Sequence, residues 1–356
     1  MLAPRIPADD GKGDQLRAAQ LIRALAADHV VEVLSYGEGV TRLARVMGAL
    51  GALVRGQPLQ VGWMTPGRAW RVARRRAAEA DVVVAVTVRA LRGPLPVPVI
   101  LDHVDALSLN MCRRATGPEP AALRLAARGE AALLRRWERR LARWVAAQAA
   151  ISAVDAAHLP APPEVHVLPN SVELSGAATP QIGGRDIDVI LTGNMAYPPN
   201  ADAARWLSAE IAPALWRRRP DASVWVVGRD ARRLVLDRRI EVCADVPEVA
   251  AYLRRARVAV APLRIGTGAP NKVLEAMAAG AAVVATPAAV APFATSAAAF
   301  GTADDAEALA VLVDRLLADE SLRLDRAAAG LRLVTAYGPE AQRRRVETLV
   351  GSVLRD

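Results

Sequence analysis

Pro262–Gly280 reads PLRIGTGAPNKVLEAMAAG, and three local signals follow one another in it. The apolar run ARVAVAPL (Ala256–Leu263) reads as a buried strand. A loop with Gly266, Thr267 and Gly268 comes next, and Pro270 and Asn271 then open a helix with Lys272 in its first turn. Strand, glycine loop and helix N-terminus make the recurring corner of a doubly wound α/β domain. Such a corner suits a diphosphate: glycine lets the backbone approach an anion, and the helix end offers unpaired N–H groups at the positive pole of its dipole. Lys272 adds a mobile charge. Glu275 shares its face and can accept from ribose hydroxyls, although the same spacing also describes a solvated ion pair worth a few tenths of a kcal/mol. Only two lysines occur in the chain, Lys12 and Lys272, which favours a use for this one.

Outward from this corner the same rhythm continues. Ile187–Thr192, Ser223–Gly228 and Ala281–Thr286 read as strands, and Ala201–Arg218, Val246–Arg255, Asn271–Ala279 and Asp304–Ala318 as helices. An earlier series has strands at Val30–Ser35, Asp81–Val88, Val97–Asp102 and Val165–Asn170, with helices at Leu16–Ala27, Ala69–Ala80 and Ala121–Ala147. The segment LSGAATPQIGGRD (Leu174–Asp186) is rich in Gly, Ala, Pro and Thr and reads as a linker. The expected division is a Rossmann-like domain over 1–173, a linker over 174–186, a second Rossmann-like domain over 187–336 and a closing segment over 337–356. A strand should precede the helix near Leu16, where only MLAPRIP stands, so that strand is very short or the true start lies upstream.

At 356 residues and 53 % hydrophobic, the chain can bury two cores; aromatics are only 4 %. The formal charge is +9, carried almost entirely by arginine, which favours anionic partners such as nucleotide diphosphates or a lipid surface. No basic run is interleaved with aromatics, so nucleic acid is not an expected partner. The two cysteines, Cys112 and Cys243, have no metal or redox spacing, and a reduced cytosolic setting fits. No signal-peptide apolar region is visible, and no run reaches the roughly 20 apolar residues of a membrane span.

Pro262–Gly280 resembles the donor motif of retaining family 4 glycosyltransferases. Further pieces are similar in the same order: PADDGKGDQLRAAQLIRALAADHVVEVLS (Pro7–Ser35), VLPNSVEL (Val167–Leu174), TGNMAYPPNADAARWLSAEIAPAL (Thr192–Leu215), VWVVGRD (Val224–Asp230), VCADVPEVAAYLRRARVAVAPL (Val242–Leu263) and YGPEAQRRRVETLV (Tyr337–Val350). Through DDGKGDQLR, DHVDALS and APNKVLEAM the chain looks closest to sugar transferases of exopolysaccharide gene clusters. The resemblance implies the GT-B fold, two Rossmann-like domains facing across a cleft, with the terminal helix crossing back to the first. It implies transfer from a nucleotide-diphosphate sugar to a glycan, lipid-linked or small-molecule acceptor, with retention, no metal and no other cofactor. It places Gly193, Asn194, Arg229, Val246, Gly266, Thr267, Gly268, Asn271, Lys272 and Glu275 around the donor, with Arg229 and Lys272 on its phosphates. The family's usual Glu eight residues before Glu275 is here Thr267. That departure leaves the sugar open and motivates a second reading, a catalytically inactive nucleotide-sugar-binding partner. A nucleotide-sugar epimerase of similar build is a third, although its catalytic carboxylates and histidines are not identifiable.

In the first half, Gly11, Gly13 and Arg17 stand where a glycine loop enters a helix, and the resemblance puts this loop beside the donor diphosphate. An ordinary helix start capped by Asp14 is the alternative. Asp102, His103 and Asp105 follow a buried strand, and His103 and Asp105 are the acid–base candidates. His29, His158 and His166 fall at element edges and read as structural. AALLRRWERRLARWV (Ala131–Val145) is basic and amphipathic. It can lie on an anionic membrane at the cytoplasmic face, or pack its apolar side inward with its arginines solvated.

Overall fold

All four residues of Val83–Val86 are buried, as are those of Val99–Asp102 and Ala147–Ala150. Strands hidden on both faces belong to parallel sheets with helices on each side. The computed structural model describes residues 1–8, 13–36, 40–116, 120–174, 184–264, 269–293 and 297–355, and within them it has two such sheets of six strands each. The chain divides into two compact units, Met1–Ser171 with Pro339–Asp356, and Val172–Gly338. Residues 175–183 of the expected linker lie outside the described residues.

The first unit runs β1 (Leu2–Ala3), α1 (Gly13–Ala26), β2 (Leu34–Ser35), α2 (Arg42–Val54), α3 (Leu59–Met64), α4 (Gly67–Ala77), β3 (Val83–Val86), β4 (Val99–Asp102), α5 (Leu107–Thr116), α6 (Ala121–Ala142), β5 (Ala147–Ala150), α7 (Ala153–His158) and β6 (Val165–Val167). Its all-parallel order is β2-β1-β3-β4-β5-β6. The first strand is thus two residues long, paired at Leu2 to Leu34 on one side and Ala85 on the other.

The core of this unit settles the reading of the basic helix. Leu134, Trp137 and Leu141 of α6 pack with Leu2, Val83, Ala85, Val99 and Leu101. The Trp137 indole donates to the Val88 carbonyl at 3.2 Å, as a buried indole N–H must find an acceptor. The apolar side of α6 therefore faces the sheet: of the two readings the sequence allows, the structure has the helix packed inward, and that surface is already spent in the core.

The second unit runs β7 (Ile187–Thr192), α8 (Pro198–Trp206), a π-helical turn Leu207–Ile211, α9 (Ala212–Arg218), β8 (Val224–Gly228), β9 (Ile240–Ala244), α10 (Val249–Arg255), β10 (Ala256–Ala261), α11 (Asn271–Ala278), β11 (Ala282–Ala285), α12 (Pro287–Val290), β12 (Phe300–Thr302), α13 (Ala306–Ala318) and α14 (Glu320–Val334). Its order, β12-β11-β10-β7-β8-β9, reverses between β7 and β10. In such sheets the carboxyl ends at the reversal form the ligand crevice. The last helix, α15 (Pro339–Leu354), belongs to the first unit, where Gln342 donates to the Pro169 carbonyl at 3.1 Å. Among the described residues no helix is long and apolar enough to cross a membrane.

Candidate functional site

At the reversal in the second sheet, Gly193 directly follows β7 and Gly228 ends β8, with φ of +150° and +140°. Both angles favour glycine. Space demands it as well. A Cβ on Gly228 would run into the Gly193 carbonyl, and one on Gly193 would sit 2.8 Å from Asn200 Nδ2 and 3.0 Å from Lys272 Nζ. The two strand ends thus touch through backbone and leave a floor on which Lys272 rests.

Lys272 stands in the first turn of α11, whose inner face buries Val273, Leu274, Ala276 and Met277. Pro270 at the N-cap supplies no capping side chain, and the Val273 N–H turns back to the Pro270 carbonyl at 3.0 Å. The Lys272 stem lines a small pocket with Ile190, Val260, Ala261 and Val273. Its ammonium donates to Asn200 Oδ1 at 2.7 Å. Burial among these apolar walls lowers its pKa to about 8, against the opposing pull of Glu275. Burial likewise raises Glu275, and Lys272 offsets part of that.

Asn200 was not among the sequence candidates. It sits in the first turn of α8, its Oδ1 on Lys272 and its Nδ2 on the Asn194 carbonyl at 2.9 Å. The available signal was an amide immediately after two prolines, close behind the Gly193 loop. Asn194 itself turns its side chain onto the Ala196 N–H at 2.9 Å, which closes that loop. Arg229 is exposed just past β8, and its carbonyl accepts from the Met195 N–H at 2.8 Å. Val246 is half-buried and follows Asp245, which has a left-handed φ of 55°. The stretch after β10 is fixed: Arg264 pairs with Asp202 at 2.7 Å and lies over the Trp206 ring, and Thr286 donates to the Leu263 carbonyl at 2.7 Å. Gly266, Thr267 and Gly268 lie outside the described residues, so the structure brings together Gly193, Asn271, Lys272 and Glu275 from the expected set and adds Asn200.

The first unit requires two corrections. Arg17 does not reach toward a ligand. It is 0 % exposed, its Nε donates to Asp102 Oδ2 at 2.6 Å, and its remaining N–H groups bond the carbonyls of Leu168 and Pro169 and the Asn170 side chain. A fully desolvated guanidinium with this many acceptors is a structural clamp joining α1, β4 and the end of the β6 segment. His103 is also 0 % exposed, hydrogen-bonded through Nε2 to Gln148 at 2.9 Å. Gln148 in turn donates to the carbonyls of Pro160 and Pro163. Burial depresses the His103 pKa to about 4, and with the ring enclosed and Nε2 held by Gln148 it does not present itself to a substrate as an acid–base group.

Asp105 differs. It is half-buried, receives a hydrogen bond from Asn110, and has its pKa raised to about 6, first by burial and then by Asp155, against the pull of Arg89. Gly13 opens α1 in open space, where a side chain would meet nothing. Asp14 in that first turn is held by Arg5 at 2.6 Å. Gly11 lies outside the described residues. Among the described residues no group of three or more His, Cys, Asp or Glu side chains is placed to hold a metal ion.

Residues 186–319, the greater part of the second unit, match the family model described as glycosyl transferases group 1. No curated protein matches the chain. Among solved structures, the sucrose-phosphate synthase of Thermosynechococcus elongatus is similar at a TM-score of 0.70 and 16 % identity, covering 99 % of this chain and 98 % of that one. HepE of Anabaena in complex with UDP follows at 0.68 and 14 %, covering 98 % of each. WaaG, a glycosyltransferase involved in lipopolysaccharide biosynthesis, is similar at 0.65 and 17 %, covering 95 % of this chain and 96 % of that one. With its two parallel, doubly wound sheets, this chain has the GT-B fold of two-domain glycosyltransferases.

Proposed function

We propose that the chain transfers a glycosyl group from a nucleoside-diphosphate sugar to a glycan, lipid-linked or small-molecule acceptor, with retention of configuration. The observation that carries this reading is the half-buried ammonium of Lys272 in the first turn of α11, where the second sheet reverses. Departure of a nucleoside diphosphate builds negative charge on its phosphate oxygens. A preorganised cation and helix end stabilise that charge strongly. Arg229 is assigned to the same phosphates and Glu275 to the ribose hydroxyls. Structures of HepE with UDP and with UDP-glucose support the donor class.

Retention is assigned to front-side attack, with the leaving phosphate taking the acceptor proton. This route needs no protein nucleophile, and burial of His103 is consistent with it. The positive charge is assigned to Lys272, Arg229 and the helix end, so the reading assigns no metal. Asp105 is the remaining candidate in the first unit for contact with an acceptor.

The test is turnover with a panel of UDP-, GDP-, ADP- and dTDP-sugars, following released nucleoside diphosphate and glycosylated product. Lys272→Met should lower kcat about a hundredfold, and Glu275→Gln should raise the donor KM. Wild-type kinetics in both variants would remove the site. Donor binding without transfer to any acceptor would point instead to an inactive sugar-nucleotide-binding module.

A further inference from the structure

α2 buries only Ala52 of its thirteen residues. Along it, Leu43, Met47, Leu50 and Val54 follow at helical spacing and are 72, 60, 52 and 88 % exposed, with Val46 and Leu53 beside them. The reason is the opposite face. Gly48 and Ala52 meet Gly62 of α3 so closely that a Cβ on either glycine would collide with the other's carbonyl. α2 thus docks by its small residues, and its large apolar side chains point away from the unit. α3 adds exposed Leu59 and Trp63.

Charge surrounds this stripe. Residues 41–80 contain eight arginines and one acidic residue, Glu79. Arg42 and Arg55 stand at the two ends of α2, and Arg68, Arg71, Arg74 and Arg75 are exposed on α4. Arg76 is committed to Glu32 and Glu79.

We infer that the α2–α4 face of the first unit docks on an anionic lipid surface, with the α2 stripe and Trp63 entering the headgroup region and the arginines meeting phosphate. A helix with an outward apolar stripe, basic flanks and a nearby exposed tryptophan has the pattern of interfacial helices. A second copy of the chain is the weaker occupant, because a self-complementary contact would bring two strongly cationic patches together. The surface is distinct from α6, the helix the sequence suggested, whose apolar side is used in the core.

The experiment is co-sedimentation of the full chain with phosphatidylcholine vesicles, with and without phosphatidylglycerol. The wild type should pellet with the anionic vesicles, and added salt should release it. Leu43→Ser/Met47→Ser/Leu50→Ser should lower the bound fraction at least about tenfold. Arg68→Glu/Arg71→Glu should abolish the preference for phosphatidylglycerol. All five positions are exposed, so thermal melting should match the wild type in both variants. Equal binding to both vesicle types, or wild-type binding by the triple serine variant, would overturn the inference. So would a dimer in light scattering that the serine substitutions dissociate while no vesicle is bound.

Discussion

The state of Lys272 makes a quantitative forecast about donor binding. Burial lowers its pKa from 10.5 to about 8. That corresponds to about 3 kcal/mol of penalty on the charged form. The ammonium is present below pH 8 and is lost above it. A diphosphate beside it favours the charged form and raises the pKa again, so above pH 8 binding takes up a proton. UDP affinity should therefore be level near pH 7 and fall about tenfold per pH unit above 8. If the bound pKa regains 10.5, the full loss is roughly 300-fold. Calorimetric titration across this range, in buffers of different ionisation enthalpy, reads both the affinity and the proton taken up. Lys272→Arg is the control: guanidinium does not titrate here, so any fall shared by both proteins belongs to the nucleotide. Superimposable wild-type and Lys272→Arg curves would refute the reasoning.

Three further outcomes follow from the geometry. Gly193→Ala forces a Cβ into the Asn200–Lys272 pair at φ +150°, and should cost about 1–3 kcal/mol in denaturant unfolding and weaken UDP binding about tenfold. Arg17→Met leaves Asp102 buried without its cation and should cost about 3–5 kcal/mol; lost donor affinity at unchanged stability would reinstate Arg17 as a ligand contact. Asp105→Asn removes a carboxyl whose pKa rises from 3.8 to about 6 on folding, so the wild type loses stability as pH climbs through that window. The variant should be more stable by about 1–2 kcal/mol at pH 7, allowing for partial exposure, and this gain should vanish below about pH 4. Chemical unfolding at the two pH values checks it.

The second unit was legible because its strands carry β-branched residues and its helix starts carry strong signals. Ile187–Thr192 is a strand over its whole expected range, and α11 begins at the expected Asn271. β5, AQAA, went unread, since nothing in it favours a strand over the helix before it; it forms because β4 and β6 flank it and Gln148 finds the Pro160 and Pro163 carbonyls. Arg17 and His103 were misread for a different reason. Their position at a helix start and a strand end was visible, but the direction of their side chains depends on Asp102, Gln148 and the 168–170 segment, distant in sequence. Asn200 escaped because its partner, Lys272, is equally remote along the chain. The exposed stripe of α2 shows the converse: hydrophobic periodicity identifies a face, and only packing reveals which way it points.

The central claim is that the start of α11, with Lys272, grips a pyrophosphate. A crystal structure of the full chain soaked with UDP tests it most directly. The account predicts a β-phosphate oxygen about 3 Å from Lys272 Nζ and within reach of the first N–H groups of α11. UDP ordered elsewhere, with Lys272 still bound only to Asn200, would contradict it.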